Sequence, residues 1–533
     1  MKTRKIFLYD TTLRDGAQAE GLSFAGAGKL KVALRLDRFG VDYIEGGYAG
    51  SNAKDMEFFR EIRRHELGHA RIAAFGSTRR AGVRVRDDVF VASLLKAQTP
   101  VVTLVGKSSR LHVRDVLRTT PEENLAMIAD TVGYLKARGK EVFFDAEHFF
   151  DGYKDSAEHA MRSLLAAVGA GADAVVLCDT NGGTLPHDIH RITAEVVGAV
   201  KVAVGIHCHN DIGMAVAGSI EAVRAGAVQV QGTVNGYGER CGNANLCSIV
   251  PTLQLKMGFG CVREAQLKAL RELSLSVDDI ANLRPDPRAP YVGQSAFGHK
   301  AGQHVNAVRK NPRTFEHIRP EQVGNERRVL VSELSGSSNV LLKAIELGAG
   351  LKQSAEGARE VLQALKHLES KGYAFESADA SFRILIQKVL KKHRPFFELE
   401  GFRVSVEKRG KDGPCVSEAT VKVRVKGEVE QTAADGDGPV NALDKALRKA
   451  LMRFYPEIAG VHLTDFRVRI LDPEEATAAK TRVLIESSDG VESWGTVGVS
   501  GNIIEASWEA LIDSVEYKLF RSEQRKARRR RGK

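Results

Sequence analysis

The sequence predicts an α/β protein: a (β/α)8 TIM barrel, then a helical linker region, then a C-terminal α+β regulatory domain. Three observations lead there. Eight short runs rich in β-formers alternate with helical stretches over the first 260 residues. Polar and charged residues gather just after those runs. From about residue 396 the chain reads as three strands and a helix, twice over. A barrel places its chemistry where strands run into the following loops, so the second observation favours it over a doubly wound open sheet.

The expected strands are IFLYD (6–10), DYIEGG (42–47), RIAAFG (71–76), VVTLVG (101–106), EVFFDAE (141–147), DAVVLCD (173–179), VAVGIHCHN (202–210) and VQVQGTVNG (228–236). The stretches between them carry helical period: AGKLKVALRLDRFG sets Leu30, Ala33, Leu34 and Leu36 around one side. TPEENLAMIADTVGYLKARG opens with a Thr cap and Pro121 in the first turn, and ends on Gly139. The catalytic barrel is expected over 1–265, and helical linker subdomains that contribute to the active site over 266–395. A regulatory or dimerising domain is expected over 396–520, with glycine-rich turns before both of its helices, and a basic disordered tail over 521–533.

Composition narrows the class. With 43% apolar and 27% charged residues in 533, the chain is expected to be a soluble globular protein of two or three domains. It has no apolar run of about 18 residues, so no membrane span is expected. The start, MKTRKIFLYD, is too charged and its apolar segment too short for a secretory signal. Six cysteines without a C-x-x-C pair suit reduced thiols, and the expected location is the cytoplasm. The net charge of +11 is concentrated at the end: the last thirteen residues carry eight basic side chains and one acidic, leaving +4 for the other 520. Nucleic-acid binding by this tail is the alternative reading from a different class, disfavoured by the lack of interleaved aromatics.

The candidate site collects at five strand ends. Arg14 and Asp15 follow the first, Asp145 and Glu147 close the fifth, Thr180 and Asn181 follow the sixth. His207 and His209 sit in the seventh, and Glu239, Arg240 and Asn243 follow the eighth. Residues i and i+2 of a strand share a face, so the two imidazoles point together. Alone, such a pair is more often core than ligand. With Asp15 it becomes a common donor set for a divalent metal with open positions, to which Asn243 could add a carbonyl oxygen. A 2-oxoacid could chelate such a metal, Arg14 suits its carboxylate or a developing alkoxide, and Thr180 can hydrogen-bond the carboxylate.

The stretches LYDTTLRDGAQ, HCHNDIGMAVAGSIEAVRAGAVQVQGTVNGYGERCGNANL and AFGHKAGQHVNAV resemble the 2-isopropylmalate, homocitrate and citramalate synthase family over essentially the whole chain. Within it, GVDYIEGGYAGSNAKDMEFF (40–59) looks most like the long bacterial citramalate synthases. The resemblance implies a Claisen condensation of acetyl-CoA with pyruvate, followed by hydrolysis to citramalate and CoA, in isoleucine biosynthesis. It implies a divalent metal (Mg2+, Mn2+ or Zn2+) on Asp15, His207, His209 and Asn243, with Arg14, Glu147 and Thr180 at the oxoacid or the reacting atoms. His304 matches the family's base for the acetyl methyl, which in related dimers enters the neighbouring subunit's site. A homodimer with isoleucine as feedback inhibitor is implied as well. One departure stands out: members often carry a Tyr shortly after this histidine, where the chain has Phe315. The nearest alternatives are 2-isopropylmalate or homocitrate synthase, with a different 2-oxoacid, and a retro-aldol lyase on a similar barrel.

Overall fold

A computed structural model describes residues 4–24, 26–50, 53–330, 337–347, 355–408, 410–471 and 479–531. It divides into two compact units, Met1–Phe297 with Ile318–Arg327, and Gly298–His317 with Arg328–Lys533. The expected linker segment is therefore shared: 266–297 and 318–327 belong to the barrel unit, and 298–317 and 328–395 to the second unit.

In the first unit eight parallel strands close into a barrel in sequence order. They are β1 (Phe7–Asp10), β2 (Tyr43–Tyr48), β3 (Arg71–Ser77), β4 (Val101–Lys107), β5 (Glu141–Glu147), β6 (Ala174–Asp179), β7 (Ala203–Cys208) and β8 (Gln229–Gly232). The period of two sorts their side chains. Leu8, Ile44, Ala74, Val102, Phe144, Val175, Ile206 and Val230 face outward and join the core between strands and helices. Tyr9, Ala73, Val101, Phe143 and Ala174 face inward and, with Tyr43, make a separate aromatic-rich cluster inside the barrel.

Two strands end earlier than their apolar runs suggest. β8 stops at Gly232 because Val234–Gly236 form a 3-10 turn in which Asn235 takes a left-handed φ of 60°. β7 stops at Cys208, and His209 instead pairs with Asn243 in an isolated antiparallel bridge. The loop after β8 thus folds back beside β7.

The second unit holds two three-stranded antiparallel sheets, Glu398–Lys408, Cys415–Val425, Glu428–Gly436 and His462–Ile470, Thr481–Ser488, Ser493–Ser500. Each is followed by a helix, Pro439–Met452 and Ile503–Arg531, so the repeat read from the sequence is present in space. The expected disordered tail is corrected here. The last helix continues to Arg531, because Arg521 forks onto Glu492 (2.8 and 3.1 Å), Arg525 joins it (3.3 Å) and Lys526 reaches Glu457 (3.0 Å). Arg, Lys, Gln and Ala are good helix formers, so ion pairing and propensity agree. No described helix is long and apolar enough to cross a membrane.

Candidate active site

The first loop is built by its own sequence. In DTTLRD the Asp10 carboxylate accepts from Thr12 N and Oγ1, both at 2.9 Å, which turns the chain sharply after β1. Thr12 Oγ1 accepts in turn from Val234 N at 2.9 Å, tying this loop to the one after β8. Arg14 and Asp15 are left at the barrel mouth. There they line one cavity of about 280 Å3 with Tyr48, Phe75, Glu147, Thr180, His207 and His209.

Asp15 Oδ2 lies 3.1 Å from His207 Nε2 and 3.6 Å from His209 Nε2. One donor atom from each of these buried residues falls within 4.8 Å of the others, a spacing that could hold a metal ion. Burial alone would raise the Asp15 carboxyl, but Arg14 and the two imidazoles outweigh it and hold it well below the usual carboxylate range. Asp15 therefore stays ionised, as a ligand must. The buried Asn243 donates to Tyr237 O at 3.1 Å, while its Oδ1 has no hydrogen-bond partner among the described residues. An orphaned buried oxygen is costly in an apolar site and suits a cation, so the donor set fits a divalent metal. Gly238, at φ +154°, makes room for this amide: a Cβ there would stand 2.1 Å from Asn243 Nδ2.

The other mouth residues carry charge and donors. Arg14 Nε pairs with Glu45 Oε1 at 2.5 Å, its NH1 stands 3.2 Å from Asp15, and its guanidinium lies 3.8 Å over the Phe75 ring. Thr180 Oγ1 accepts from His148 N at 2.8 Å, which leaves the hydroxyl proton for a ligand. Glu147 pairs with Lys107. Arg240 donates to His209 Nδ1 (2.6 Å), Thr180 O (2.8 Å) and Asp211 (2.7 and 3.0 Å).

Of the eight residues to which the family resemblance gives a role, seven stand at or beside the barrel mouth. His304 belongs to the second unit, on the helix Gly302–Lys310, where its exposed ring stacks on Phe315 with centroids 4.2 Å apart. Glu45, Gln231 and Lys107 went unnoticed in the sequence. Each occupies an inward position of its strand, which the strand period gives, but only the closed barrel shows what they face.

Residues 5–277 match the HMGL-like family model, 291–373 the homocitrate synthase post-HMGL domain-like model, and 376–519 the LeuA allosteric (dimerisation) domain. The barrel and the cluster at its mouth define the class, an HMGL-like barrel enzyme. An (R)-citramalate synthase of Geobacter sulfurreducens is 53% identical over 519 residues, covering 97% of this chain and 98% of that one. Another from Aquifex aeolicus is 52% identical over 521 residues, covering 98% and 99%. A 2-isopropylmalate synthase of Methanocaldococcus jannaschii is 31% identical over 527 residues, covering 97% and 96%. The chain belongs to the citramalate synthase family.

Proposed function

We propose that this enzyme joins acetyl-CoA to pyruvate and hydrolyses the thioester, giving (R)-citramalate and free CoA. The observation that carries the reading is the convergence of Arg14, Thr180 and Glu147 around Asp15, His207 and His209 in one mouth cavity. Asp15, His207, His209 and Asn243 hold the divalent cation. When bound, it supplies Lewis-acid polarisation of the keto group.

Arg14 faces the oxoacid carboxylate or the alkoxide that forms as the new carbon–carbon bond closes. Its ion pair with Glu45 fixes the guanidinium before substrate arrives, so little reorganisation is left for the reaction itself. Thr180 donates its hydroxyl proton to the oxoacid carboxylate. His304 takes a proton from the acetyl methyl, which is acidic enough only with a base at hand and a stabilised enolate. Glu147, held by Lys107, orients the base or the water that releases CoA.

The working species is a homodimer, and the repeated module of the second unit takes isoleucine as inhibitor. Pyruvate, 2-oxoisovalerate and 2-oxoglutarate, each supplied with acetyl-CoA, test the assignment through the release of free CoA. Turnover with pyruvate alone agrees with it; a preference for either larger acid overturns the substrate and keeps the chemistry. Isoleucine sensitivity that survived removal of residues from 396 onward in an active enzyme would remove the inhibitor from this module.

A further inference from the structure

We propose that Gln231 is the positioning residue that fixes the tautomer of His207, presenting its Nε2 lone pair to the metal site. The inference rests on the metal reading given above. His207 and Gln231 are direct neighbours in the pairing of β7 with β8, and both side chains point into the barrel. Gln231 Oε1 stands 2.9 Å from His207 Nδ1, and Gln231 Nε2 donates to Asp145 Oδ1 at 3.1 Å. Gln231, Asp145 and His207 are 0%, 3% and 5% exposed, so water does not compete for these contacts.

The direction of the chain follows from what each group can do. Asp145 Oδ1 takes the NH2 end of the amide, which turns the amide oxygen toward His207. That oxygen only accepts, so His207 Nδ1 must donate. The neutral ring then has its lone pair on Nε2, which faces Asp15 at 3.1 Å. His209 lacks this arrangement, because its Nδ1 faces the guanidinium of Arg240, a group that only donates. Of the two rings, His207 is the one preset as a ligand. Partners that orient a metal-binding histidine in this way commonly change metal affinity 10- to 100-fold when removed.

Calorimetric titration of Mn2+ into the chelator-treated full-length protein tests this without recourse to turnover. Gln231→Leu deletes the acceptor and is expected to weaken Mn2+ binding about 10- to 100-fold. Gln231→Glu keeps an oxygen facing Nδ1 but sets a second acid against Asp145, so it is paired with Asp145→Asn, whose amide supplies the missing donor. The double variant is expected to bind Mn2+ more tightly than Gln231→Leu, a rescue that a merely structural role would not produce. His207→Ala separates the two readings. If it binds Mn2+ as wild type does, the metal site itself is wrong. If it loses Mn2+ while folded Gln231→Leu keeps full affinity, only the role of Gln231 falls. Should Gln231→Leu not fold, nitrogen NMR of histidine-labelled wild type with Zn2+ bound decides, with His207 assigned through His207→Ala. A proton on Nδ1 supports the proposal, and a proton on Nε2 overturns it.

Discussion

Arg14 and Glu45 form an ion pair inside the barrel mouth, Nε to Oε1 at 2.5 Å, with Glu45 fully buried and 11% of the Arg14 side chain exposed. Removing one partner strands the other charge in a poor solvent. Glu45→Leu is expected to destabilise the barrel by about 3–5 kcal/mol in urea unfolding. Arg14→Lys keeps a charge but not the planar fork, and is expected to lower kcat/KM for pyruvate by about 10²- to 10³-fold with the fold intact. Steady-state kinetics beside the unfolding curve separates the two effects.

Gly238 stands against the Asn243 amide with a φ of +154°. Any side chain there is strained by the backbone and collides with Nδ2. Gly238→Ala is expected to cost about 1–3 kcal/mol of stability and to weaken Mn2+ binding, because the amide that presents Oδ1 must move. Unaltered Mn2+ affinity in that variant would remove Asn243 from the ligand set.

Burial pushes the Asp513 carboxyl up to about 6, against the weaker pull of Lys388 at 3.9 Å. An acid raised in the folded state binds its proton more tightly there than when unfolded. The folded form is therefore favoured below the unfolded value near 4, and that advantage is lost as pH rises through about 6. Asp513→Asn removes the titration. It is expected to be more stable than wild type above pH 6, by at most about 2–3 kcal/mol, with the gap closing toward pH 4. Thermal melts of both proteins across that range measure it, and a pH-independent gap would contradict the assignment.

The ion pairs of Arg521, Arg525 and Lys526 tie the end of the last helix to Glu492 and Glu457. Deleting residues 521–533 is expected to lower the melting temperature of the second unit by a few degrees, each pair being worth about 0.2–1 kcal/mol. Citramalate production is expected to persist. Loss of RNA binding together with unaffected stability would instead favour the nucleic-acid reading of this segment.

Much of this molecule is legible in its sequence. Alternation of β-rich and helical runs is a strong signal, and all eight barrel strands lie where it placed them. Strand ends were less legible, because apolar runs say nothing of turns: VQVQGTVNG continues past Gly232 in composition, while Asn235 turns left-handed. Asp15, His207 and His209 stood out only together, because polar groups at five strand ends converge on one mouth once the strands form a barrel; the imidazole pair alone is more often core. Glu45 and Gln231 did not, since single polar residues in apolar strands look like ordinary variation until the barrel closes and shows what they face. The basic tail misled for a related reason. Its charge suggested solvation, and the acids that neutralise it lie some 30 to 70 residues earlier in the chain.

On the proposed function, Asp15 and the paired imidazoles would hold a divalent cation that polarises the keto group of pyruvate. The most direct measurement is release of free CoA from acetyl-CoA and pyruvate, by chelator-treated wild type and by the His207→Ala/His209→Ala double variant, before and after adding Mn2+. Wild type is expected to fall silent on chelation and to recover with Mn2+, while the double variant stays silent throughout. Undiminished CoA release by metal-stripped protein, or by the double variant, would contradict the proposed function.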